Sequence, residues 1–144
     1  MKQKQETTMS VPFFDAGIPA GFPSPAADYE EESINLLEKL VPRPLSTFFV
    51  TTVGDSMQEA FIPEKSILVV DRKLKPKNNS IVVATYNGEF TVKYYAVKEG
   101  KCYLVPANKK YKPIEITEEM QMEVWGVVTY IIINPKDVKN VCPC

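Results

Sequence analysis

Ser80-Ile81-Val82-Val83-Ala84-Thr85-Tyr86-Asn87-Gly88-Glu89-Phe90-Thr91-Val92-Lys93-Tyr94-Tyr95-Ala96-Val97 is the stretch that decides the fold. Two runs rich in β-branched and aromatic residues flank an Asn-Gly pair. That is the strongest short-range hairpin signal, because a two-residue type I′ turn needs positive φ at both central positions. Working outward, comparable runs occupy 47–53, 67–70, 102–105 and 122–133, separated by Asn, Gly, Pro and Lys turns. Helical periodicity is almost absent, so the pattern predicts a mainly-β domain. Asn35 reads as a helix N-cap with Glu38 three residues on, opening a short helix through Leu36, Leu37, Lys39 and Leu40 that Pro42 and Pro44 stop. Residues 1–33 show little regular pattern and are punctuated by Pro12, Pro19, Pro23 and Pro25, as an extended arm would be. The organisation expected is therefore an arm over 1–33, one domain over 34–135 and a tail over 136–144.

Composition narrows the function. With 144 residues, 44% of them hydrophobic, the chain can bury one modest core. A formal net charge of −1 offers no basic face for phosphates, and the only basic cluster, Arg72-Lys73-Leu74-Lys75-Pro76-Lys77, reads as a solvated loop. No run approaches the roughly 18 apolar residues of a membrane helix, and the polar first ten residues do not read as a secretory signal. A cytoplasmic protein that touches neither nucleic acid nor membrane directly is expected. Cys102, Cys142 and Cys144 form neither a disulfide framework nor a zinc pattern. The carboxylates of Asp15, Asp55 and Glu30-Glu31-Glu32 read as solvated, so no metal site is expected, and without a Gly-rich phosphate loop no nucleotide cofactor is either.

The chain contains no histidine. A serine nucleophile cannot then use an imidazole base, and the remaining solution is a lysine held neutral. Ser56 lies in Gly54-Asp55-Ser56-Met57, after the apolar run Phe48–Val53, where a strand would give way to a sharp turn. The backbone N–H groups of Asp55 and Ser56 are the candidate oxyanion donors. Ser56 also fits a plain cap of the turn at Met57–Ala60. Lys93 lies in the second half of the hairpin; strand alternation sets it with Thr91, Tyr95 and Val97, and apolar neighbours there would lower its pKa. It equally fits an exposed edge lysine. Ala20-Gly21 offers a small-residue bond in the Pro-rich stretch, and Ala16-Gly17 offers the same dipeptide four residues earlier.

Three stretches in this order, Gly21-Phe22-Pro23-Ser24-Pro25-Ala26-Ala27-Asp28-Tyr29, Gly54-Asp55-Ser56-Met57 and Gly88-Glu89-Phe90-Thr91-Val92-Lys93, resemble the LexA, UmuD and phage-repressor family of self-cleaving Ser-Lys proteases. Trp125-Gly126-Val127-Val128 resembles that family's closing strand, so the likeness spans about Ala20 to Ile133. It implies a strongly bent and twisted β assembly, the β-clip, carrying a short helix and an extended N-terminal arm. It implies Ser56 as nucleophile, Lys93 as base, Thr91 as a residue that orients the lysine, and a cut between Ala20 and Gly21; Pro19 before that bond departs from the pattern. No helix-turn-helix pattern precedes the arm, which points to the UmuD branch rather than to the repressors.

In that branch a RecA–single-stranded DNA filament promotes the cut during the SOS response. The shortened homodimer then serves a Y-family translesion polymerase of the UmuC type. The closing run Val124–Ile133 is too apolar to stay exposed, which also favours a homodimer. Alternatives are a non-catalytic interaction module, a repressor-type regulatory domain, and a protease acting on other proteins.

Overall fold

The computed structural model describes residues 11–14, 17, 18, 20, 21 and 31–138. It divides into two compact units, Met1–Pro42 and Arg43–Cys144. Asp15, Ala16, Pro19, Glu30, Cys142 and Cys144, and the expectations attached to them, lie outside the described residues.

In the first unit, β1 (Val11–Phe14) pairs antiparallel with β2 (Glu31–Ile34), Val11 opposite Ile34 and Phe14 opposite Glu31. Two strands therefore stand where the sequence reads as an arm without regular pattern. Pro12 is compatible with β1 because a two-stranded ribbon has only edges, where a missing N–H can face away from the partner. Helix α1 (Leu36–Leu40) follows, with Asn35 Oδ1 accepting from the N–H groups of Leu37 and Glu38 as the cap pattern predicts.

The second unit is a seven-stranded antiparallel sheet in the order β3-β4-β9-β5-β6-β7-β8. Its strands are β3 (Thr47–Thr51), β4 (Ile67–Asp71), β5 (Ser80–Tyr86), β6 (Glu89–Lys98), β7 (Lys101–Val105), β8 (Ile114–Glu115) and β9 (Met122–Ile132). This is the mainly-β architecture expected, with each anticipated run realised within a residue or two of its predicted ends. The two residues of β8 are too few for any periodicity to announce. Asn87 and Gly88 take φ values of 48° and 83° between the paired Tyr86 and Glu89, the two-residue turn that Asn-Gly predicts.

Strand β9 lies inside the sheet, between β4 and β5, and is broken by two bulges. Its pairing with β5 jumps from Gly126 to Val124, leaving Trp125 extra, and its pairing with β4 jumps from Tyr130 to Val128, leaving Thr129 extra. Each extra residue bends the strand and reverses which face the following side chains occupy. Trp125, Val128 and Ile131 consequently pack on a cluster of Met57, Ala60, Ile62, Leu68, Val70, Val83 and Ala107. Met122, Val124 and Val127 pack on a second cluster of Val82, Ala84 and Leu104. One strand thus supplies both cores, and the first core lies directly beneath the segment that carries Ser56.

Candidate active site

Ser56 sits in the connection from β3 to the 3-10 turn Gln58–Ala60. Thr52 ties the start of this connection down: its N–H donates to Ser66 O, its hydroxyl to Pro63 O, and its Oγ1 accepts from Ser66 N–H. Gly54 then reverses the chain at φ +86°, a conformation that penalises any side chain, while its N–H donates to Glu64 Oε1. Met57, three residues on, is 3% exposed and anchors the far side in the first core. Between these anchors Ser56 is left half-buried. Its side chain does not cap the turn, whose N-cap position is Met57.

Lys93 comes from β6 and lies opposite Val82 of β5. Strand β7 pairs with β6 only from Tyr94 onward, so among the described residues one backbone edge of 89–93 carries no strand partner. The Lys93 amine donates to Ser56 Oγ at 2.9 Å, to Thr91 Oγ1 at 2.7 Å and to Val92 O at 3.0 Å. Burial holds its pKa below that of a free lysine.

The walls that bury it differ from those expected of a straight strand. Tyr95 and Val97 do not line the cleft; Val97 is exposed, and the Tyr95 hydroxyl lies 3.3 Å from Cys102 Sγ. The cleft, of about 410 Å³, is bounded instead by Val50, Met57, Ile62, Val83, Phe90 and Val92 around Ser56, Thr91 and Lys93. Alternation misassigns the neighbours because the amine reaches Val92 O, back along the strand, while Val92 itself packs on the first core.

Among the described residues, no hydrogen bond engages the backbone N–H of Asp55 or Ser56. The Asp55 carbonyl, by contrast, accepts from Gln58 N–H at 3.1 Å and from Asn108 Nδ2 at 2.8 Å. The Asp55 carboxylate accepts from the Tyr111 hydroxyl at 2.7 Å, and that bond raises the phenol pKa. Asn108 and Tyr111 are contacts that sequence reasoning missed. They lie in the loop after β7, where no periodicity relates them to residue 55.

Ala20 and Gly21, in the first unit, are both exposed, as is Gly17. Among the described residues no cluster of three or more His, Cys, Asp or Glu side chains could hold a metal ion, and no helix is long and apolar enough to cross a membrane.

The sequence profile of the family described as peptidase S24-like matches residues 12–129. Protein MucA of Salmonella typhimurium is 42% identical over 126 residues, covering 87% of this chain and 86% of that protein. Protein SamA of Salmonella typhimurium strain LT2 is 42% identical over 130 residues, covering 90% of each. Protein ImpA of Shigella flexneri is 34% identical over 134 residues, covering 89% of this chain and 87% of that protein.

Proposed function

The chain belongs to the peptidase S24-like family of self-cleaving serine proteases, and from that premise we propose that Ser56 and Lys93 are its catalytic dyad. The observation that carries the reading is the 2.9 Å contact between Lys93 Nζ and Ser56 Oγ in a chain with no histidine to serve as base. In the charged state the amine donates in that contact. Once neutral, it accepts the hydroxyl proton as Ser56 Oγ attacks a carbonyl carbon, and later passes the proton to the leaving amine. Thr91 Oγ1 and Val92 O hold the amine in place through the transfer. The unengaged N–H groups of Asp55 and Ser56 suit a developing oxyanion.

The bond cut is Ala20–Gly21, whose exposure suits a substrate strand. We assign 1–33 as the processed arm, 34–135 as the protease domain and 136–144 as a tail. The UmuD-like relatives support a role in SOS mutagenesis. In that role a RecA–single-stranded DNA filament promotes the cut in the cytoplasm, and the 21–144 product, as a homodimer, joins a Y-family translesion polymerase.

Incubation of the purified chain with intact-mass readout tests the chemistry. The wild type should yield a fragment beginning at Gly21, while Ser56→Ala and Lys93→Ala each lose about three orders of magnitude or more in rate, as expected when a unit of nucleophile and base is broken. Cleavage by Lys93→Ala near the wild-type rate removes the lysine from the mechanism. A fragment beginning at Gly17 moves the cut to the earlier Ala-Gly pair.

A further inference from the structure

The loop after β7 is stitched to the Ser56 segment at four places. Glu59 N–H donates to Ala107 O at 2.7 Å and Ala107 N–H to Met57 Sδ at 3.3 Å, which fix the segment downstream of Ser56. Asn108 Nδ2 donates to Asp55 O and the Tyr111 hydroxyl to Asp55 Oδ1, which fix it upstream. Asn108 is itself braced, its Oδ1 accepting from Lys110 N–H at 3.0 Å and its carbonyl from Tyr111 N–H at 3.1 Å.

The Asp55 carbonyl and the Ser56 N–H are the two poles of one planar peptide group, so holding the first aims the second in the opposite direction. With two donors on the carbonyl, electron density is drawn toward its oxygen and the N–H becomes a stronger donor, the cooperative effect of chained hydrogen bonds. Asp55 does not line the cleft, whereas Gly54, Ser56 and Met57 do. The anchored pole thus belongs to a residue outside the cleft, and the unengaged pole to a residue that lines it.

We infer that Asn108 is a positioning residue for self-cleavage: by gripping the Asp55 carbonyl it aims and polarises the Ser56 N–H toward the oxyanion of the tetrahedral intermediate. Tyr111 is a second, weaker brace on the same residue, because its hydroxyl is bound at an exposed position. This deepens the catalytic reading of Ser56 and Lys93 and rests on it. A complete oxyanion donor is worth about 10²–10³ in rate, so losing the group that aims one should cost about tenfold or more.

The test uses the full chain and measures self-cleavage from pH 7 to 10.5, with thermal unfolding of each protein alongside. Asn108→Asp retains the acceptor for Lys110 N–H but removes the donor to Asp55; Asn108→Ala removes the donor without adding charge. Both should lower the alkaline plateau about tenfold or more while the pH midpoint, set by Lys93, stays in place. Tyr111→Phe should lower it by a smaller factor. Rates within about threefold of wild type in both Asn108 variants overturn the inference, as does a moved midpoint, which would mean that Asn108 acts through the lysine. Loss of the folded state in both variants makes Asn108 a purely structural residue and also overturns it. A wild-type chain that never cuts itself removes the underlying reading, a result distinct from equal cleavage by wild type and variants.

Discussion

Inside the cleft the Lys93 ammonium gives up part of its hydration, and this sets how the site responds to pH. Its folded-state pKa is lowered while the unfolded chain keeps the ordinary value of about 10.4, so the unfolded state binds the proton more tightly. The burial penalty is therefore present in full below the folded pKa and is relieved as pH rises from there toward about 10.4. The rate carries the same information: below the folded pKa the neutral fraction grows about tenfold per pH unit. Unassisted self-cleavage should thus climb from neutral to alkaline pH and level off before the ordinary lysine value. A stopped-time assay across that range checks this, and a flat profile means that a step other than deprotonation limits the cut. Ser56, Thr91 and Lys93, which the structure brings into contact, are candidates the sequence offers because short local motifs carry them. Asn108 and Tyr111 were not, because their partner lies more than 50 residues away and neither belongs to a periodic run.

At the scale of elements, strand positions were readable because β-branched runs and turn residues mark them locally. What alternation could not give was the facing of β9, since Trp125 and Thr129 each reset the count. Gly126 lies between those bulges, and a Cβ there would stand 2.6 Å from Val70 Cγ1 and 3.0 Å from Asp71 O. Val70 is fully buried and β-branched, and Asp71 O belongs to the backbone of β4, so neither yields easily. Gly126→Ala should destabilise the protein by about 1–3 kcal/mol, the usual range for overpacking, seen as a shifted denaturant midpoint. An unchanged midpoint would show that β4 and β9 can part without cost. Trp125, the extra residue just before Gly126, packs edge-on to Phe90 at 5.4 Å, with the Arg72 guanidinium 5.0 Å from its centroid.

For the molecule as a whole, the apolar closing run proves to be an interior strand of the sheet, third in its order, half-buried along much of its length and packed on both cores. The uncovered remainder is nonetheless coherent. Phe49 and Tyr130 flank the fully buried Val69 across β3, β4 and β9, and Thr51, Ile67 and Ile132 stand opposite one another, so these side chains share a face. Phe49 is 53% exposed and Ile67, Tyr130 and Ile132 are 40–41% exposed. A contiguous apolar face of this kind marks an interface, and a second copy of the chain is its expected occupant. Light scattering should report a dimer, and Ile67→Lys with Ile132→Lys should convert it to a monomer; a monomeric wild type removes the assignment.

The order of the strands has one more consequence. Ser56 follows β3 and Lys93 lies on β6, with β4, β9 and β5 between them. Across a flat sheet four strand spacings would part those two strands by about 19 Å, yet Ser56 Oγ and Lys93 Nζ lie 2.9 Å apart. The chemistry is assembled by the bending of the sheet as much as by the residues themselves, and the distance between Oγ and Nζ is a gauge of that curvature. Anything that flattens β9, whether removal of a bulge or a partner that grips its ends, would disarm the pair without touching either member.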